Sequence, residues 1–143
     1  MWKKMTGGLW ALLTVLAVAG CATSAPLVNV SQTPITWVGP TGSLEQVDTA
    51  IKRALIAKGW TGETVAPGKI RGSILVRGKH TAVVEIPFSN HEYEIKYASS
   101  TGLDYNATKE TIHKNYNKWV LSLNQEIKAK QSKQLANYSM PGY

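Results

Sequence analysis

Apolar positions recur at helical spacing in two stretches of the chain and alternate with polar ones in the stretch between them. Leu44, Val47, Ile51, Ala54 and Leu55, with Lys58 closing the stripe, follow the three-to-four spacing of an amphipathic helix. Ser43 with Gln46 three residues later predicts a capping box at its start. Gly59 predicts its end, with Trp60 folding back onto the last turn. A second helix is expected from about Thr108 to Lys128. There Ile112, Tyr116, Trp119, Val120, Leu123 and Ile127 fall within about 100° of arc.

Between the helices the period drops to two. Ile70, Gly72, Ile74 and Val76 share one strand face, Ala82, Val84, Ile86 and Phe88 the next, and Tyr93, Ile95 and Tyr97 a third. A two-residue Asn90-His91 turn pairs Phe88 with Tyr93, Ile86 with Ile95 and Val84 with Tyr97, and sets Glu85 opposite Lys96. The preceding hairpin needs a three-residue Arg77-Gly78-Lys79 connection or a bulge, because a two-residue turn would set Ile74 opposite Val83. The longer connection restores Ile74 opposite Ala82 and Ile70 opposite Ile86. Pro67-Gly68 marks a further turn, leading from a weaker strand over Thr61–Val65.

These elements predict an α+β domain over residues 41–128. It is an antiparallel meander of three to four strands with two helices packed on one face, in the order α-β-β-β-β-α. Residues 21–40 read as an extended tether carrying Pro26, Pro34 and Pro40, with a short edge strand allowed by the alternation of Ile35 and Trp37 within Pro34–Val38. Residues 129–143 read as a polar tail.

The N-terminus changes the picture more than the overall composition does. Lys3 and Lys4 precede an apolar run from Leu9 to Ala19, roughly 11 residues against the ~20 of a membrane-spanning helix. Residues 1–20 therefore read as a signal peptide. Val18-Ala19-Gly20-Cys21 resembles the lipobox of bacterial lipoproteins, and Cys21 is the single cysteine of the chain. The resemblance implies that the Cys21 thiol receives a diacylglycerol, that cleavage falls just before it, and that the new amino group is acylated. Two or three acyl chains hold a protein on a bilayer essentially permanently. Ala22, where an Asp would retain such a protein at the inner membrane, implies an outer-membrane location facing the periplasm. Cleavage would remove 20 of the 143 residues and, with Lys3 and Lys4, two of the seven net positive charges.

Candidate chemistry is sparse. One cysteine excludes an internal disulfide framework and a Cys-based zinc site. His80 and His91 flank one strand and stand about 30 Å apart at ~3.3 Å per residue, so His113 can meet only one of them and no metal site is expected. No Gly-x-Ser-x-Gly elbow is present, and no cofactor is implied. Ser100, Asp104 and His113 are the one set a small hydrolase or transferase could use, provided they converge in a pocket. The densest polar and aromatic segment runs from Ser99 to Trp119. Ser100, Leu103, Asp104, Tyr105, His113 and Asn117 are its candidate partner-binding residues, either rimming a groove or pinning the loop to the second helix.

Lys109, Lys114, Lys118, Lys128, Lys130 and Lys133 make that helix and its tail basic, against Glu110 and Glu126. A secreted, lipidated chain does not meet nucleic acid. The partners left are the membrane itself, an envelope protein, peptidoglycan or lipopolysaccharide.

Ala54-Leu55, Lys58-Gly59-Trp60, Tyr93-Glu94-Ile95-Lys96-Tyr97, Ser100, Leu103, Tyr105 and above all Ile112-His113-Lys114-Asn115-Tyr116-Asn117-Lys118-Trp119-Val120 resemble a group of small proteobacterial lipoproteins. The resemblance spans Ile51 to Ile127. It implies a lipoprotein with one α+β domain and brings no catalytic residue. The expectation is a non-enzymatic binding or structural module of the cell envelope.

Overall fold

The structure, a computed structural model, describes residues 22–37 and 40–138, and side chains as far as Ser132. Residues 1–21, which hold the expected signal peptide and lipidation site, and residues 38–39 and 139–143 lie outside it. The chain runs β1 (Ser24–Pro26), β2 (Val30–Pro34), α1 (Leu44–Ala57), β3 (Thr61–Ala66), β4 (Lys69–Val76), β5 (His80–Pro87), β6 (Glu92–Thr101), β7 (Thr111–His113) and α2 (Lys114–Tyr138). Strands β2-β6-β5-β4-β3 form a five-stranded antiparallel sheet, and β1 pairs with β7 in a separate two-stranded one.

Local signals account for α1. The Ser43 hydroxyl accepts the Gln46 amide N–H while Gln46 Oε1 accepts the Ser43 amide N–H, at 3.2 and 2.8 Å. At the other end Gly59 adopts φ +78°. The amides of Gly59 and Trp60 then close onto the carbonyls of Ile56 and Leu55, the paired bonds of a Schellman cap. Trp60 is buried beneath that cap. Val47, Ala50, Ile51, Ala54 and Leu55 face the sheet. The helix comes so close that a Cβ at Gly72 would stand 2.9 Å from a Leu55 methyl and 3.1 Å from a Val84 methyl.

The meander follows its predicted parity. Ile70, Ala82, Val84, Ile86, Tyr93 and Ile95 are fully buried on the helix-facing side. Ile74 lies opposite Ala82 and Ile70 opposite Ile86 across a three-residue connection in which Arg77 and Gly78 are left-handed. Phe88 meets Tyr93, Val84 meets Tyr97 and Glu85 meets Lys96. On the outer face Lys69 and Arg71 flank Glu85 at 2.9 and 3.5 Å. The Lys69 hydrogen bond and charge, with help from Arg71, hold the Glu85 carboxyl below its ordinary range.

Several expectations are corrected. The tether expected over residues 21–40 is replaced, within the described residues 22–37, by β1 and β2, and Val30 and Ile35 join the core. Pro26 and Pro34 are tolerated because they close short strands at sheet edges. The strand is Val30–Pro34, whereas Ile35 follows it, donating its amide to the His91 carbonyl, and Trp37 donates its indole N–H to the Asn90 carbonyl.

The second helix begins at Lys114, six residues later than expected. Asn106 and Thr111 bond reciprocally around a turn that leaves Glu110 left-handed, and Thr111–His113 pairs with β1. Ile112 keeps its place in the core, but from a strand. At its far end α2 continues to Tyr138, so the described part of the expected tail, residues 129–138, is helical. Lys128 to Ala136 is built from good helix formers. The sheet, finally, has five strands where three to four were expected, because β2 joins the edge of β6.

Among the described residues every core residue lies between Val30 and Ile127. Two buried tyrosines within the core differ in one respect. Tyr93 donates its hydroxyl to Asn124 Oδ1 at 2.6 Å, whereas the Tyr116 hydroxyl has no hydrogen-bond partner among the described residues. Burial pushes the Tyr93 phenol up to about 12 and raises that of Tyr116 further, with the nearby Tyr97 adding to the rise.

Tyr116→Phe should therefore stabilise the domain by about 1 kcal/mol in urea titration, because it removes a buried, unpaid hydroxyl. Tyr93→Phe should cost about 1 kcal/mol, because Asn124 loses its donor. An unfolded tyrosine ionises near 10, so above that pH the unfolded state sheds protons that the native state keeps. Stability should fall by about 1.4 kcal/mol per pH unit for each buried tyrosine. A loss of stability in Tyr116→Phe, or a flat profile between pH 10 and 11.5, would contradict this account of the core.

Candidate functional site

One end of the domain gathers the β4–β5 connection, the loop from Gly102 to Glu110, the β1–β7 ladder and the first turns of α2. Their meeting leaves a cleft of about 320 Å³ lined by Val76, Arg77, His80, Gly102, Leu103, His113, Asn115 and Trp119.

The cleft is built by backbone pairing. The His113 amide bonds to the Leu103 carbonyl at 2.8 Å, bringing the loop against β7. Gly102 adopts φ +69° and lies so close to the β4–β5 connection that a Cβ there would stand 2.9 Å from the Lys79 carbonyl oxygen. Both histidines have one ring nitrogen engaged. His80 Nδ1 lies 2.8 Å from the Gly102 carbonyl, to which it donates, leaving Nε2 as its free nitrogen. His113 Nδ1 accepts the Asn115 amide N–H at 3.2 Å, so its proton sits on Nε2.

Of the six candidate binding residues, Leu103 and His113 line this cleft. Ser100 and Asp104 do not. An irregularity in β6 makes Ala98 an extra residue, since Val84 faces Tyr97 while Val83 faces Ser99. That shift sets Ser100 opposite the buried Ala82, and its hydroxyl lies 2.9 Å from the Tyr97 hydroxyl. Asp104 is exposed in a left-handed conformation. Tyr105 packs against Tyr97 with ring centroids 4.3 Å apart, and Tyr97 in turn meets Tyr116 edge-on at 5.6 Å.

Asn117 is a clamp. Its side-chain oxygen accepts the Val28 amide N–H at 3.0 Å, and its nitrogen donates to the Pro26 carbonyl at 2.8 Å. The same segment is tied by Leu27 to the Glu110 carbonyl, by Lys114 to the Thr23 carbonyl, and by Tyr97 to Asn29 Oδ1, all at 2.8 Å.

Arg77 and His80 were not among the candidates. Arg77 carried a turn signal and His80 entered only as a metal ligand to be excluded; no local pattern shows that the loop after β6 folds back onto them. Among the described residues no group of three or more His, Cys, Asp or Glu comes together. Chemically, the cleft offers a guanidinium, imidazole and amide hydrogen-bonding groups, and an indole, a set that favours an anionic, partly apolar ligand. The opposite end of the sheet differs in charge: a depression of about 290 Å³ there presents Glu92 and Glu94 beside Lys96.

Asn117→Ala should leave the amide of Val28 unpaired and cost about 1–3 kcal/mol. Amide hydrogen exchange should then speed up selectively at Val28 and through β1. Unchanged protection at those amides would return Asn117 to the list of binding residues. Comparison of the chain with protein-family models, with curated proteins and with solved structures finds no match.

Proposed function

We propose that this is a lipid-anchored cell-envelope protein, held through Cys21 on the periplasmic face of a bacterial outer membrane, that works as a non-enzymatic binding or structural module. The motif Val18-Ala19-Gly20-Cys21 carries the reading. It is supported by the start of the folded body at Thr23, two residues beyond Cys21, so an acyl chain on Cys21 would sit directly against the domain. No helix among the described residues is long and apolar enough to cross a membrane.

The alternative of a small hydrolase or transferase rests on Ser100, Asp104 and His113. For that chemistry a serine hydroxyl needs a base within hydrogen-bond reach and a cleft in which substrate can meet both. Here the Ser100 hydroxyl is engaged with Tyr97, and only His113 of the three lines the cleft. The binding reading is accordingly preferred. The ligands it favours are the membrane, an envelope protein, peptidoglycan or lipopolysaccharide.

The Cys21→Ala variant should leave the membrane fraction on cell fractionation. In the wild type, mass spectrometry of the N-terminal peptide should show cleavage before Cys21 and a mass increment of two or three acyl chains. Full membrane retention of the variant, or an unmodified Cys21, would overturn the anchor.

A further inference from the structure

We propose that the end of the domain carrying the His80–His113 cleft is a docking face for the anionic phospholipid headgroups of the bilayer to which the protein is anchored. The inference deepens the anchoring reading above and rests on it for its geometry.

The distance available to the domain is the first argument. The Lys114 amide donates to the Thr23 carbonyl, and Ser24 lies opposite His113 in the β1–β7 ladder. Only Ala22 separates Cys21 from that ladder's first tie, and two extended residues span at most about 7 Å. A lipid on Cys21 therefore cannot let the body drift away from the membrane. Whatever surrounds Thr23, Lys114 and His113 is held at the depth of the headgroups.

What surrounds them is basic. Arg77 and Lys79 come from the β4–β5 connection, Lys109 from the turn before β7, and Lys114 and Lys118 from the first turns of α2; all five are exposed. Asp104 and Glu110 are the acids on the same elements, and none of these seven takes part in a salt bridge among the described residues. Elsewhere Lys69 and Arg71 pair with Glu85, Lys96 with Glu94, Lys52 with Asp48, and Lys58 and Lys130 with Glu126, which leaves Arg53 and Lys128 outside any ion pair among the described residues. Five of the seven unpaired cations among the described side chains thus lie at the end that the anchor would press against the bilayer, while Glu92 and Glu94 occupy the far end.

The cleft supplies what a flat basic patch lacks. Arg77 at its rim offers a two-pronged donor suited to a phosphodiester, the Nε2–H of His113 is a further donor, and Trp119 and Leu103 give an apolar wall of the kind found at the headgroup boundary. Basic side chains near an anionic surface each add to attraction, and the effect fades within about 10 Å at 0.1 M salt. Cys21 enforces that proximity.

The test uses residues 22–143, which contain every core residue among the described residues and carry no acyl chain. Co-sedimentation with vesicles of phosphatidylcholine alone is compared with vesicles in which about a third of the lipid is phosphatidylglycerol, at low and high salt. Binding is expected only with phosphatidylglycerol, and it should weaken steeply as salt is raised. The double variant Arg77→Glu/Lys114→Glu should bind at least about tenfold more weakly, while Lys69→Glu/Lys96→Glu, an equal change of charge away from the face, should stay within about twofold of wild type. Circular dichroism melting of both variants confirms that each is folded.

No binding to the anionic vesicles overturns the proposal, as does an equal loss in the two variants, which would reduce the effect to net charge. Failure here with acylated Cys21 in cells removes the docking face and leaves the anchor. Binding here with unmodified Cys21 removes the anchor and leaves the face.

Discussion

The side chain of Asn117 holds the start of the described chain against the start of its last helix, and the cleft end of the molecule is built around that grip. By accepting from Val28 and donating to the Pro26 carbonyl it satisfies two backbone groups on a segment that is tied besides through Thr23, Leu27 and Asn29. With that segment in place, β1 can pair with Thr111–His113, and that pairing keeps Thr111–His113 out of α2. His113 is thereby placed at the cleft rather than on the helix surface, and Thr23 is placed beside Lys114. An amide on one helical turn thus links the position of the N-terminus to the shape of the cleft.

The body that supports this arrangement is stabilised by ordinary burial. Ile51, Leu55, Ile70, Ile86, Ile95, Ile112, Leu123 and Ile127 are fully buried, and burying a side chain of this size contributes roughly 1.5–3 kcal/mol. Surface ion pairs such as Lys69–Glu85 and Lys52–Asp48 are exposed enough to add little. Their importance lies in neutralisation: among the described side chains they pair six of the eight cations away from the cleft end. At the cleft end five cations meet only Asp104 and Glu110, and neither acid forms an ion pair with them.

Legibility in the sequence followed the range of the interaction. The α1 caps, the parity of β4, β5 and β6, and both hairpin registers are set by residues within a few positions of one another, and the pattern alone predicts them. The N-terminal strands are not legible in this way. Val30, Pro26 and Thr23 find their partners at Ile95, Asn117 and Lys114, far along the chain, and prolines with polar neighbours look like a tether until those partners are known. The same long-range pairing hides the true start of α2 and the bulge at Ala98, and with them the inward turn of Ser100. Of the candidate site, Leu103 and His113 were legible as part of a polar, aromatic segment, whereas Arg77 and His80 become neighbours of that segment only through the fold.

The central claim is that the anchored domain stands with its β4–β5 connection at the membrane and its β5–β6 turn away from it. In a wild-type background Cys21 is acylated on this account, so a single introduced cysteine carries a spin label cleanly. Labels at Lys79→Cys and His91→Cys lie beyond opposite ends of β5, whose eight residues alone span about 26 Å at ~3.3 Å per residue. In native membranes, collision with a lipid-soluble relaxing agent should broaden the signal of the label at 79 strongly and leave that at 91 close to its value in solution. Equal broadening at the two sites, or stronger broadening at 91, would contradict the account.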